Sequence, residues 1–116
     1  MANPMRGQVE IALGSETYKC RLTIDSLIKI EEDLDEGILQ LAQKIANADV
    51  RLKTLVTVLR YALRGGGNDM ADKEVRQLIS RVGLVSASTQ VAVLLAATLS
   101  DPTTEEESVG KSEAAG

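Results

Sequence analysis

The scarcity of aromatic side chains constrains the fold of this sequence more than any other feature. Its 116 residues include two tyrosines, Tyr18 and Tyr61, and no phenylalanine or tryptophan. A hydrophobic core must therefore consist of Leu, Ile, Val and Ala, and such a core favours packed helices over a sheet-rich sandwich. An interface with another protein would likewise depend on aliphatic side chains and arginine, because aromatic hot spots are nearly absent.

Two short segments near the N-terminus alternate polar and apolar residues, the period of half-buried strands. They cover Gln8–Leu13 and residues 17–22, and Gly14 and Ser15 supply a turn between them. This pattern predicts an antiparallel hairpin. The single cysteine, Cys20, lies in the second strand, where we expect a buried structural thiol. Two strands are not stable alone in water, so the hairpin should pack on helices.

Apolar residues at intervals of three and four predict five helices in the rest of the chain. Thr23 and Asp49 are placed as N-terminal caps of the first and third helices, and Gly37 is placed to end the first. The sequence therefore predicts a mainly α (α+β) fold, a short hairpin packed on a bundle of about five helices. The expected helices are at about 24–36, 38–46, 50–64, 72–82 and 86–99. The clearest apolar stripe lies in the third helix and consists of Leu52, Leu55, Val56, Leu59, Ala62 and Leu63.

Charge separates a neutral body from an acidic tail. Residues 1–100 carry twelve acidic and twelve basic side chains, whereas residues 101–116 carry five acids and one lysine. This distribution gives no electrostatic footprint for nucleic acid. The longest apolar run, residues 91–99, is too short to span a bilayer, and residues 1–7 do not resemble a signal peptide. We therefore expect a cytoplasmic protein with no membrane partner. The expected divisions are a flexible N-terminus at 1–6, a single folded domain at 7–100 (hairpin 7–22, helices 23–100) and a disordered acidic tail at 101–116.

Residues that could carry chemistry are few. The sequence has no histidine, and one cysteine cannot form a disulfide or a multi-cysteine zinc site. The glycines at 65–67 follow a predicted helix instead of preceding one, so they indicate a helix stop and a flexible link, not a phosphate-binding loop. The acidic run at 31–36 lacks the spacing of a calcium-binding loop. We expect no enzymatic activity, no cofactor and no metal site.

The acidic run contrasts with a basic face on the third predicted helix, formed by Arg51, Lys53, Arg60 and Arg64. Two interpretations stay open. The opposite charges could pair within one molecule or stay solvated, or they could meet across a contact between subunits.

Two sequence stretches carry a resemblance to a known family. The first is the Leu-x-x-x-Glu from Leu27 to Glu31, and the second is Leu-Arg-x-x-Leu-Arg-Gly-Gly-Gly at 59–67. With the hairpin and the Ala/Leu-rich last helix, they resemble tail assembly proteins encoded by gene transfer agents and related siphophage-like prophages. The resemblance covers about residues 5–99. The sequence departs from the expected pattern at Ala71, where a Ser or Thr cap before the fourth helix would be usual.

The resemblance implies a tail assembly chaperone that binds the tape measure protein during tail morphogenesis. The same family also carries the label of tail tube protein, which makes a structural tail component the alternative. The tail tube protein and a second copy of the chain are further candidate partners. We expect the binding face on exposed parts of the third and last helices. The candidate protein-binding residues are Leu55, Leu59, Arg60, Arg64, Val91 and Leu95.

Overall fold

Residues 8–100 are described by a computed structural model and form two strands followed by five helices. The predicted fold class is confirmed. The flexible N-terminus expected at 1–6 and the acidic tail expected at 101–116 lie outside the described residues. The elements are β1 (Gln8–Leu13), β2 (Glu16–Arg21), α1 (Ile24–Leu34), α2 (Ile38–Ala46), α3 (Leu52–Gly65), α4 (Asp72–Val82) and α5 (Leu84–Ser100).

Strands β1 and β2 pair antiparallel, with Ile11 opposite Tyr18 and Val9 opposite Cys20. The predicted alternation is confirmed, because one face of the hairpin buries Ile11, Leu13 and Cys20 against the helices. Each outer edge of the hairpin forms a hydrogen bond with a side chain from the helical part of the chain or its loops. On the β1 edge, the backbone N–H of Ala12 donates to the Gln90 side chain of α5 at 3.1 Å.

The core is one continuous cluster to which the hairpin and every described helix contribute. It is aliphatic, as the scarcity of aromatic residues predicts, and Tyr18 and Tyr61 are only partly buried at its margin. Helix α3 lies at the centre of the fold, because it contacts β2, α1, α4 and α5. Fully buried members from the different elements include Ile11, Ile30, Leu41, Leu59, Val75 and Leu94.

Helix starts agree with the sequence in part. The Thr23 hydroxyl oxygen accepts from the backbone N–H of Ser26 at 3.1 Å, which confirms the predicted cap of α1. The prediction for Asp49 is wrong, because α3 begins three residues later at Leu52 and the Asp49 N–H instead closes α2 by donating to the Lys44 carbonyl.

The fourth and fifth helices also depart from expectation at their first residues. At Ala71, which lacks a capping side chain, Glu74 reaches back and its carboxylate accepts from the Ala71 N–H at 2.8 Å. This half of a capping box lets α4 begin at Asp72 without a Ser or Thr. Helix α5 begins at Leu84, earlier than expected, directly after Gly83 in a positive-φ conformation.

The first helix ends earlier than the sequence predicts. Asp35 takes a left-handed conformation, with φ at 54°, and α1 therefore stops at Leu34. Gly37, which was expected to end this helix, instead stands immediately before α2. The turn is held by Glu31, whose carboxylate accepts from the backbone N–H of Ile38 at 2.8 Å.

The glycines at 65–67 have a packing role in addition to the predicted helix stop. Gly67, with φ at 96°, ends α3 in a Schellman motif, in which Asn68 N–H donates to the Leu63 carbonyl. Gly65 and Gly66 lie against β2: a Cβ on Gly66 would be 1.9 Å from the Lys19 carbonyl oxygen. The Asn68 side chain also donates to that oxygen, at 2.8 Å. The glycines therefore allow the end of α3 to pack directly on the strand.

Helix length and composition also indicate whether a helix could span a membrane. Within residues 8–100, no single helix is both long and apolar enough to cross a bilayer. Helices α4 and α5 pass such a test of length and composition only when taken together, and they meet at an angle of 113°.

Candidate protein-binding groove

Four of the predicted binding residues belong to the core. Leu55, Leu59, Val91 and Leu95 each have 0% of their surface exposed. The reason is that α3 is surrounded by other elements and α5 packs on β1, α2, α3 and α4, so the aliphatic stripes of both helices face inward. The expectation that these four side chains are exposed is therefore wrong, and a role for them in binding a partner stays a prediction.

The two predicted arginines have different surroundings. Arg64 is exposed on α3, whereas Arg60 is half-buried and lines a groove. Among the described residues, neither forms a salt bridge with the acidic run at 31–36. Carboxylates of that run have other partners: Asp33 accepts from the Tyr61 hydroxyl at 2.9 Å, and Glu36 pairs with Lys44.

The groove that Arg60 lines is an open cavity of about 1000 Å³. Helices α3 and α4 form its long walls, and the end of α1 and the start of α5 close it. Its apolar lining residues are Leu52, Val56, Ile79 and Leu84. Its polar lining residues are Asp33, Lys53, Thr57, Arg60, Asp72, Arg76 and Ser80.

The apolar lining has a buried floor and an exposed rim. Val56 and Ile79 are 7% and 4% exposed, so they form a surface of aliphatic carbon at the bottom of the groove. On the rim, Leu52 is 57% exposed and Leu84 is 45% exposed. Leu52 belongs to the predicted apolar stripe of the third helix, but it is the first residue of α3 and is exposed, unlike the stripe residues that follow it. Exposed aliphatic side chains that line one groove together with polar groups are a feature of interaction sites.

The charged lining is partly neutralised. Asp72 and Arg76 form a salt bridge at 2.6 Å along one turn of α4. Lys53 is exposed and, within residues 8–100, takes part in no salt bridge. The Arg60 guanidinium lies 5.0 Å from the centre of the Tyr61 ring, a cation–π distance.

Two neighbouring side chains of α3, Arg60 and Tyr61, differ in their hydrogen bonding. Arg60 Nε is buried, and no described residue accepts a hydrogen bond from it. Next to it, the Tyr61 hydroxyl donates to Asp33, and this bond raises the pKa of Tyr61 above its usual value. The phenol therefore stays protonated and keeps donating, which links the end of α1 to α3.

Cysteine and acidic side chains, which could act as nucleophiles or metal ligands, form no cluster of three or more within residues 8–100. Cys20 is fully buried in the hairpin, and loss of solvation raises the pKa of its thiol to about 12. Its predicted role as a buried thiol is confirmed. In the part of the chain that the structure describes, no three acidic, cysteine or histidine side chains cluster as metal ligands would. The groove presents aliphatic and charged groups together, so it can bind a segment that carries both apolar and charged side chains.

Several groove residues were not among the predicted candidates. Ile79, Leu84 and Arg76 come from α4 and α5 and meet α3 only through the fold. A sequence signal existed for Leu84 alone, since it directly follows the helix stop Gly83 and was outside any predicted helix. An aliphatic residue at such a junction either packs locally or is presented at the surface.

The fold and the groove define a small helical domain with an N-terminal hairpin and an exposed aliphatic surface between two helices. The chain belongs to the family described as phage tail tube protein, GTA-gp10, whose sequence profile matches residues 6–101. The resemblance to gene transfer agent and phage tail proteins is thereby confirmed. No curated protein and no solved structure matches the chain significantly.

Proposed function

We propose that this protein is a tail assembly chaperone that binds helical segments of the tape measure protein. It acts in the cytoplasm of the particle-producing cell and catalyses no reaction. Membership of a phage tail protein family supports tail components as its partners. The observation that carries the proposal is the groove between α3 and α4, which leaves Leu52 and Leu84 exposed above an aliphatic floor.

The groove suits a helical partner. An amphipathic helix binds by laying its apolar side chains into a hydrophobic groove, with anchors at intervals of three and four residues. Leu52 from α3 and Leu84 from α5 provide exposed aliphatic contacts, and Val56 and Ile79 provide the buried aliphatic floor of the same groove. A long apolar tape measure helix would be kept soluble if such surfaces covered it before the tail tube assembles.

Co-expression tests the proposal. The tape measure protein of the same particle should remain soluble when it is produced together with this chain and should co-purify with a tagged copy of the chain. Its solubility should fall when the chain carries Leu52→Ser together with Leu84→Ser. A tape measure protein that is equally soluble in the absence of this chain would contradict the proposal.

A structural tail component is the second candidate, and the family's description as a tail tube protein favours it. Rings built from strands need free sheet edges, because neighbouring subunits extend one another's sheets. In residues 8–100 the sheet has two strands, and one side chain contacts each of its edges: Gln90 of α5 on β1 and Asn68, in the loop after α3, on β2. This arrangement supports the chaperone over the tube.

Mass spectrometry of purified particles separates the two candidates. A chaperone should be abundant in the lysate and depleted from finished particles. Recovery of this chain in the ratio of a tube subunit would establish the structural role instead.

A further inference from the structure

We propose that the groove between α3 and α4 selects an acidic amphipathic helix, one that places aliphatic side chains on the groove floor and carboxylates against Lys53 and Arg60. The inference rests on the proposed function in one respect: it names the chemistry of the segment that the chaperone binds. It specifies the charge of the partner, which an aliphatic groove alone does not.

Charge complementarity favours an acidic partner. Three cations and two carboxylates line the groove. Arg76 and Asp72 already neutralise each other, whereas the Tyr61 hydroxyl that donates to Asp33 is neutral and does not balance the charge of that carboxylate. The remaining cations are Lys53 and Arg60, for which the described chain supplies no carboxylate within salt-bridge distance. Three cations against two carboxylates leave the lining with a net formal charge of +1 beside exposed leucines, although the body of the protein is neutral as a whole.

Arg60 is prepared to meet a carboxylate. Its guanidinium lies over the Tyr61 ring, which holds the side chain along the groove wall. Its Nε is buried, and no acceptor for it exists among residues 8–100. Buried donors are normally satisfied, so a rotation that gave this N–H a carboxylate partner would remove a local deficit without breaking an existing Nε bond. Arginine also offers two parallel donors to one carboxylate, which fixes orientation as well as charge.

The positions of the cations set the geometry of the bound helix. Lys53 lies at the second residue of α3 and Arg60 two turns further along, so the two cations are spaced along one wall. Carboxylates spaced by about two turns on one flank of the partner, with leucines on the adjacent face, match both groups. Salt-bridge partners at the groove rim contribute more to selectivity and association rate than to affinity.

Synthetic peptides provide the probe. One helical peptide carries leucines at intervals of three and four and glutamates on one flank, and a second has glutamine at each glutamate position. Binding of each fluorescent peptide to the full chain is measured by anisotropy at low and high salt. We expect the glutamate peptide to bind about tenfold more tightly at low salt and the difference to shrink as salt screens the charges.

A matched pair of lysines tests the location. Lys53 and Lys73 are both exposed and both occupy the second position of a helix, but only Lys53 lines the groove. Reversing either charge therefore changes the net charge and the interaction with the helix dipole equally. Lys53→Glu should abolish the preference for the glutamate peptide, whereas Lys73→Glu should leave at least half of it. A matched pair of exposed leucines, Leu52→Ser and Leu39→Ser, makes the same comparison for the apolar contact.

Three outcomes would overturn the inference. The first is equal binding of the two peptides, or an equal effect of Lys53→Glu and Lys73→Glu. The second is a tenfold or greater gain in peptide affinity when Glu105, Glu106 and Glu107 are all changed to Gln, because the chain's own tail would then be the occupant. The third is a change from dimer to monomer on Lys53→Glu in sedimentation, because a second copy would then fill the groove.

The inference and the proposed function can fail separately. If the tape measure protein co-purifies equally well with Lys53→Glu and with the unchanged chain, the acidic-helix inference fails and the chaperone function stands. If the glutamate peptide is selected at the groove but the tape measure protein never co-purifies, the inference holds for another partner and the proposed function fails.

Discussion

Replacing Gly66 by alanine tests the packing of α3 on the hairpin. The new Cβ would lie 1.9 Å from the Lys19 carbonyl oxygen and 2.7 Å from the Cys20 nitrogen. Real Cβ atoms essentially never approach closer than 3.0 Å, so the strand or the helix end must move by about 1.1 Å, the difference between 3.0 and 1.9 Å. Both neighbouring atoms belong to the backbone of β2, which cannot rotate away as a flexible side chain could.

The expected loss of stability follows from two opposing effects. Gly66 has φ at −92°, an ordinary value, so alanine would lower the entropy of the unfolded chain and contribute about 0.4–1 kcal/mol of stability. Forced backbone shifts in a packed region cost about 1–3 kcal/mol. Because the overlap involves rigid atoms, we expect the second effect to be larger and the free energy of unfolding to fall by about 2 kcal/mol.

Urea unfolding followed by circular dichroism measures this change. With a slope of about 1–3 kcal/mol per molar urea, the midpoint should fall by about 0.7–2 M. Gly37→Ala is the control, since its nearest neighbouring atom lies 3.9 Å away, and we expect a change within about 0.5 kcal/mol. A Gly66→Ala protein as stable as the unchanged chain would refute the close contact between α3 and β2.

Three further predictions follow from burial, capping and ionisation. Leu59→Ala should lower the free energy of unfolding by about 2–5 kcal/mol, because it empties a fully buried site. Leu52→Ala, on the exposed rim, should change the free energy of unfolding by less than about 0.5 kcal/mol. Equal effects of the two substitutions in urea unfolding would contradict the assignment of core and rim. Thr23→Ala should cost about 1 kcal/mol through loss of the bond from Ser26 N–H, seen as a lower thermal midpoint; an unchanged midpoint would argue against the cap. Burial raises the pKa of the Cys20 thiol to about 12, so the unfolded thiol ionises first and stability should fall as pH rises from about 9 towards 12. A Cys20→Ala protein should show a shallower fall over that range, and rapid reaction of the native thiol with a disulfide reagent at pH 8 would contradict its burial.

Local patterns were sufficient to predict the secondary structure. The alternation in 8–22 predicted an antiparallel hairpin, which the structure confirms, and aliphatic spacing predicted all five described helices. The exact first and last residues of the helices were less predictable, because a residue other than the expected cap can fix the end of a helix. Glu74 takes over the role of a cap at Ala71, and Asp35 ends α1 by adopting a conformation usually associated with glycine.

The groove could not be predicted in the same way. The stripe that contains Leu52, Leu55 and Leu59 is uniform in sequence, yet its first member is exposed and the other two are core. Which part is covered depends on where α4 and α5 pack, a tertiary property that the periodicity of one helix does not contain. The role of Gly66 was missed for the same reason, since the backbone that leaves no room for a Cβ at this position belongs to Lys19, 47 residues earlier in the chain.

Site-specific photocrosslinking in particle-producing cells tests the central claim most directly. A photoreactive residue is introduced at Leu52 on the groove rim or at Leu39 on α2, two leucines that are 57% and 68% exposed. The account predicts that position 52 crosslinks to the tape measure protein before tail assembly and that position 39 does not. Equal crosslinking from both positions, or crosslinks from position 52 only to other copies of this chain within finished tails, would contradict it.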